Sequence, residues 1–312
     1  MPRFPSGLAA LSAHTAPAAI TAAAALSALV TLTACAADAP VPAATTGQAR
    51  SADGVAIHYE VHGAGEPTLV LVHGWTNSRG IWGEHPQTLA RHHRVVALDL
   101  AGHGASGAER TTWSMDAFGE DVAAVVERLG LERVVLVGFS MGGAVVLEAA
   151  ERMPERTAGI VFIDTFHDPG MAPANTADQM EATFRANWGD TAFLRAFALT
   201  PDAPDSLVRY LAGMMPAQPH EHWFAIMRGF QSWMANQREP TLQGIRAPVA
   251  AINTTSRPTN VEPMRAYAPA FTVDTLHGVG HAGILLQRVE DFDAHLLAIV
   301  ERFATDDGRT PR

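Results

Sequence analysis

The chain contains no lysine, and all 22 of its basic residues are arginine. Schiff-base chemistry, a phosphate-binding P-loop lysine and a Ser-Lys dyad are therefore excluded. Cysteine occurs once, at Cys35, so no internal disulfide and no CxxC metal site can form. Against 32 acidic residues the net charge is -10, which gives a nucleic-acid partner no electrostatic support. Internal repeats are absent too. What is there is 312 residues, 47% of them hydrophobic and 17% charged, enough for a sizeable core. That length favours one large domain, or a domain with an insertion, over two independent units.

Arg3 precedes an Ala-rich stretch from Ala16 to Ala34 that holds no charge. The stretch is marginal for a transmembrane helix, which needs about 20 apolar residues. Its small residues near Ala34 also fit an ordinary cleaved signal. Leu32-Thr33-Ala34-Cys35 resembles the lipobox of bacterial lipoprotein signal peptides. That resemblance implies cleavage of residues 1–34, a diacylglycerol on the Cys35 thiol, and a mature protein carried across the inner membrane and tied to the cell envelope. Residues 35–49, rich in Ala, Pro and Thr, read as a tether, with the folded part beginning near Arg50. Residues 306–312 read as a disordered tail.

Beyond the tether, Ser51 to Val61 alternates about Asp53-Gly54, which predicts a hairpin turn there. Apolar runs at Thr68–Val72, Val95–Leu98, Val134–Val137, Gly159–Ile163, Pro248–Ile252 and Phe271–Leu276 predict buried strands. Helical spacing runs from Met115 to Leu129, closed by Gly130, and from Ala144 to Met153. The alternation predicts an α/β fold with a mostly parallel sheet and helices on both faces. The rhythm breaks over residues 165–240, which carry helical patterns rich in Met and aromatics. They predict a helical cap inserted between two sheet strands, dividing the core into residues 50–164 and 241–305. Most of the cap aromatics pack cap onto body, and a few line an apolar pocket.

Gly138-Phe139-Ser140-Met141-Gly142 sits between a strand pattern and a helix pattern. Glycines two residues before and after the serine let such a turn close without a side-chain collision. With the His73-Gly74 turn, the Asp99-to-Ser106 loop and Gly278-Val279-Gly280-His281, in that order, the chain from about Ser51 to Phe303 resembles the α/β-hydrolase superfamily. The resemblance implies an eight-stranded-type sheet with Ser140 as nucleophile. A serine hydroxyl is too weakly acidic to attack an acyl carbon unaided and needs a base. Among fourteen histidines, His281 has the best claim, since it follows the last strand on a Gly-flanked loop. His92, His93, His220, His222 and His295 read as solvated or structural, and His73 and His103 as loop-shaping. His220 and His222 lack a third metal ligand.

The resemblance further implies an oxyanion hole from the backbone N–H groups of Trp75 and Met141. In most relatives the triad acid follows the strand that here ends at Ile252, yet Asn253 to Pro258 holds no carboxylate. Asp164, at the end of the preceding sheet strand, is the natural replacement, as in some haloalkane dehalogenases. Alternatively it caps the first cap helix, and Asp168, Glu262 and Asp274 are weaker candidates for the acid. Serine rather than aspartate at the elbow implies an acyl-enzyme, hence esters or related acyl compounds. His73, Phe139, Phe166, Trp188 and Trp223 are the expected pocket residues. The expectation is a serine esterase with a Ser-His-Asp triad, needing no metal or organic cofactor, acting on a small acyl substrate and reaching the membrane only through Cys35. A C–C bond hydrolase of the same fold, or an inactive surface-tethered binding protein, are the alternatives.

Overall fold

The computed structural model describes residues 43–170, 175–215 and 220–306. The expected signal peptide, Cys35 and most of the expected tether lie outside the described residues, as does the expected tail from 307. Eight strands form one sheet: β1 (Thr45–Arg50), β2 (Ala56–His62), β3 (Thr68–Val72), β4 (Val95–Leu98), β5 (Val134–Phe139), β6 (Thr157–Ile163), β7 (Val249–Thr254) and β8 (Thr272–Leu276). Their order is β1-β2-β4-β3-β5-β6-β7-β8. β2 runs antiparallel to both of its neighbours, and every pairing from β4 to β8 is parallel. This is the α/β-hydrolase fold.

The five strands from β4 across to β7 are buried at every residue, which is why they read as unbroken apolar runs rather than alternating ones. Successive side chains point to opposite faces. Val70 and Val72 join Leu136 and Phe162 on one face, beneath α2 (Met115–Arg128) and α3 (Gly142–Arg152). Leu69 and Leu71 join Val135 and Val161 on the other, beneath α1 (His85–Leu89) and α11 (Val289–Asp306). Each fully buried Val, Leu or Ile contributes about 1.5–3 kcal/mol, so the two faces clamp the sheet that carries the serine. Ser114 caps α2 by accepting from the Ala117 N–H, and Gly130 ends it at φ +60°.

The folded part starts earlier than the composition suggests. Thr45 to Ala49, expected as tether, pair with β2 together with Arg50, from Thr45↔Val61 to Arg50↔Ala56. Only Ala49 is buried in this edge strand, so it shows no apolar alternation. Its stability comes from its partner. Tyr59 lies across Gly47, where a Cβ would fall 2.5 Å from the phenol oxygen. The turn itself is where Asp53-Gly54 predicts it, with Gly54 at φ +88° and its N–H donating to the Ser51 carbonyl.

Between β6 and β7 the described residues hold five helices: α4 (Ala177–Ala186), α5 (Thr191–Ala198), α6 (Asp205–Met214), α7 (Glu221–Asn236) and α8 (Arg238–Gln243). The cap is expected over residues 165–240, and α8 runs past that boundary to Gln243. The short α9 (Glu262–Arg265) and α10 (Gly283–Leu286) complete the set. α7 approaches the start of α2 so closely that a Cβ on Gly229 would lie 2.0 Å from the Trp113 carbonyl oxygen. Gly229→Val must therefore lift the cap from the body. We expect a cost of about 2 kcal/mol, read as a melting temperature several degrees lower; an unchanged melting temperature would refute this packing.

Candidate active site

The nucleophile turn is tight because three backbones meet there. A Cβ on Gly138 would lie 2.4 Å from the Gly142 carbonyl oxygen, and one on Gly142 would lie 2.5 Å from that of Val72. Ser140 between them has φ +54°, a conformation that costs a non-glycine residue about 1–3 kcal/mol. Its N–H donates to the Ile163 carbonyl and its own carbonyl accepts from Gly143, both at 2.9 Å. The strain is thus held by the two central strands.

His281 follows β8, and its loop is braced by the end of α5. The Ala282 N–H donates to the Ala198 carbonyl at 2.7 Å, and a Cβ on Gly280 would strike the Leu199 backbone. The imidazole lies 4.9 Å from the Phe139 ring, centroid to centroid. Its Nε2 is 2.9 Å from Ser140 Oγ and its Nδ1 is 2.6 Å from Asp164 Oδ2. Ser140, His281 and Asp164 are therefore brought together by the ends of β5, β8 and β6.

Asp164 is 4% exposed and sits at φ +47°. Burial alone would raise its pKa. The side chains of His167 and His281 and the backbone N–H of Thr254 outweigh that and hold the carboxyl far below the usual range. Thr254 N donates to Oδ1 at 2.8 Å, and His167 Nε2 lies 3.2 Å from the same oxygen. Asp164 caps no helix among the described residues, where Thr176 caps α4. The other carboxylates are occupied elsewhere. Asp168 accepts from Gly170 and Asn260, Glu262 pairs with Arg265, and Asp274 pairs with His295.

A Cβ on Gly74 would stand 3.0 Å from the Ser140 Cβ, so the turn after β3, on which Trp75 follows, passes directly against the serine. Met141 N lies at the start of α3, the positive end of its dipole. Neither N–H donates to another described residue. His73 holds this turn from behind. Its Nδ1 donates to the Gly74 carbonyl at 2.8 Å and its Nε2 accepts from the Leu100 N–H at 3.1 Å. Full burial pushes its pKa down to about 4; the Gly74 carbonyl opposes this and the Arg79 cation assists it. The ring stays neutral at pH 7. Burial likewise pushes His103 well below the ordinary value, and its Nδ1 donates to the Ala101 carbonyl.

A cavity of about 640 Å³ opens beside Ser140. Phe139 and Phe166 line it, together with Trp75 and the cap side chains Met180, Met227 and Met234. His73, Trp188 and Trp223 do not line it. His73 is fully buried under the turn, while Trp188 and Trp223 stand behind Trp75. The Trp223 carbonyl accepts from the Trp75 indole N–H at 2.8 Å, so these residues shape the wall without forming it. His220 and His222 stack on each other, and His222 also on Trp113. His93 donates to the Pro67 carbonyl. Sequence reasoning missed His167 and Thr254. The signal for His167 was its position three residues beyond the acid, and for Thr254 the polar run at the end of β7.

A family model described as "alpha/beta hydrolase fold" matches residues 67–268. Among curated proteins, the chain is 39% identical over 105 residues to a dihydrolipoyllysine-residue acetyltransferase component of the acetoin cleaving system of Pseudomonas putida, covering 34% of this chain and 28% of that one. It is 36% identical over 113 residues to a pimeloyl-[acyl-carrier protein] methyl ester esterase of Nitrosospira multiformis, covering 36% and 43%. The matched stretch thus spans less than half of these relatives. Among solved structures, a thermophilic esterase from Thermogutta terrifontis superposes with a TM-score of 0.68 at 20% identity, over 83% of this chain and 99% of that one.

The elbow strain can be measured apart from chemistry. Ser140→Ala and Ser140→Gly remove the same hydroxyl, but only glycine relaxes a positive φ. We expect Ser140→Gly to be more stable than Ser140→Ala by about 1 kcal/mol in denaturant unfolding; equal stability would show that the turn stores no strain.

Proposed function

This chain belongs to the α/β-hydrolase family, and from that premise we propose that it is a serine hydrolase cleaving carboxylic esters through an acyl-enzyme on Ser140. The observation that carries the reading is His281, bridging Ser140 Oγ at 2.9 Å and Asp164 Oδ2 at 2.6 Å. His281 Nε2 takes the serine proton as Oγ attacks the acyl carbon. The imidazolium that forms is stabilised by Asp164, whose depressed pKa keeps it ionised throughout the working range. The Trp75 and Met141 N–H groups receive the carbonyl oxygen as it gains charge. Collapse breaks the ester C–O bond, and the leaving alkoxide takes the proton from His281. Water, deprotonated by the same histidine, then cleaves the acyl-enzyme and restores Ser140.

A nucleophilic serine forms an acyl ester, which water can hydrolyse at the carbonyl carbon. The cavity supports an apolar acyl or alkyl group, since thioether and phenyl side chains supply much of its wall. The inactive-binder alternative loses its motive, because an acid does reach His281. C–C bond hydrolysis would use the same three residues, and no feature of the cavity favours it.

p-Nitrophenyl esters from acetyl to decanoyl test the reading. Ser140→Ala should lower kcat at least about 10⁴-fold, and Asp164→Asn about 10³–10⁴-fold. Asp164→Asn with near-normal turnover would remove that residue from the triad. We also propose that the mature protein is lipid-anchored at Cys35; no helix among the described residues is long and apolar enough to cross a membrane. Fatty-acid labelling in cells should disappear in Cys35→Ala, and labelling that persists would refute the anchor.

A further inference from the structure

Asp164 has one neighbour more than a Ser-His-Asp triad requires. His167 lies three residues on, and its Nε2 is 3.2 Å from Oδ1, the carboxylate oxygen that His281 does not use. That nitrogen is buried and makes no hydrogen bond of full geometry to any described residue, so Asp164 Oδ1 at ion-pair distance is what it faces. The opposite nitrogen, Nδ1, is 3.2 Å from Thr259 Oγ1. Asn253, fully buried near the end of β7, donates from Nδ2 to that same Oγ1 at 3.0 Å. The backbone closes the arrangement, because the Asn260 N–H donates to the His167 carbonyl at 2.7 Å.

The polarity of this chain runs one way. With Asn253 Nδ2 as donor, Thr259 Oγ1 accepts and has its own hydrogen to give to His167 Nδ1. A neutral histidine that accepts at Nδ1 carries its hydrogen on Nε2. That hydrogen faces Asp164. The last residue of β7 and the carboxylate-free segment after it thus serve the carboxylate at the end of β6 twice: by the Thr254 N–H directly and by Thr259 through His167.

We propose that His167 is a positioning residue for the triad, held as its Nε2–H tautomer by Asn253 and Thr259 and fixing the second oxygen of Asp164. The inference rests on reading Ser140, His281 and Asp164 as the triad. His167 and His281 compete for the same negative charge, so His167 also tempers how strongly Asp164 draws a proton onto His281. The charged groups around this cluster are Asp164 and His281 themselves, Asp168 in the same segment, Arg257 after β7 and Arg238 at the start of α8, all lining the same cavity. Each is unchanged in the His167 and Thr259 variants below.

The test compares kcat, KM and the pH profile of p-nitrophenyl ester hydrolysis in His167→Phe, His167→Gln, Thr259→Val and Asp164→Asn. In His167→Phe we expect kcat to fall about 10-fold with KM within about twofold, as for a misplaced catalytic group. The acidic limb of kcat/KM should move up by about half to one pH unit, because Asp164 relieved of one donor holds the His281 proton more strongly. Gln, whose side-chain amide can reach the same oxygen, should restore most of kcat, and Thr259→Val should fall between. A folded His167→Phe with kcat within twofold and an unmoved limb would overturn the proposal. So would equal losses in Phe and Gln with no movement of the limb, the signature of a merely structural residue. If His167→Phe does not fold, Thr259→Val, which keeps the imidazole, decides by the same limb. Asp164→Asn separates the two readings: activity retained there sinks the triad, whereas activity lost there with wild-type behaviour at His167 sinks only this inference.

Discussion

Burial of the Asp164 carboxylate at the end of β6 drives it toward its protonated form, in which it could not stabilise an imidazolium. Donors reverse that pressure. The Thr254 N–H, His281 and His167 converge on its two oxygens, and together they hold the pKa well below the ordinary value. An unpaired buried charge costs several kcal/mol, so removing any one donor is felt by the others. β7 must lie beside β6 to present Thr254, and the loop after β8 must fold back to present His281. The sheet order β6-β7-β8 supplies both. The charge at Asp164 thus depends on correct assembly of one half of the sheet, and the basicity of His281 depends on that charge.

The centre of the sheet supplies the strain. Ser140 at φ +54°, Asp164 at +47° and Phe166 at +51° are non-glycine residues in a region that favours glycine. Such conformations persist when the surroundings over-determine them. Here β3, β5 and β6 lie side by side, buried on both faces, and each pins a turn at its carboxyl end. The neutral, fully buried His73 performs the same service for the Trp75 turn. Its two ring nitrogens tie the ends of β3 and β4 together, which calls for one fixed tautomer rather than a titrating base.

Much of this was legible in the sequence, for identifiable reasons. Buried parallel strands write themselves as apolar runs, and the elbow writes itself in glycines because neighbouring backbones leave no room for a Cβ. The empty stretch after Ile252 pointed back to Asp164, since a serine-histidine pair needs a carboxylate from somewhere. The failures have causes of equal clarity. Thr45 to Ala49 looked like linker because an edge strand takes its hydrogen bonds from its partner and buries almost nothing itself. Trp188 and Trp223 looked like pocket wall because their chemistry suits one, but which cap face meets the cavity is decided by packing against Trp75. His167 was passed over because its position three residues beyond the acid gains meaning only from Thr259 and Asn253, far away in the chain.

The central claim is that acyl groups pass through Ser140. The absence of lysine helps, because cleavage after arginine releases the serine on the single peptide Val134–Arg152. The protein would be mixed with a p-nitrophenyl ester, acid-quenched within the first turnover, digested and weighed. The account predicts the acyl mass on that peptide, localised to Ser140 by fragmentation, and its loss in Ser140→Ala. Turnover with the acyl group on another residue, or on none at any quench time, would contradict it.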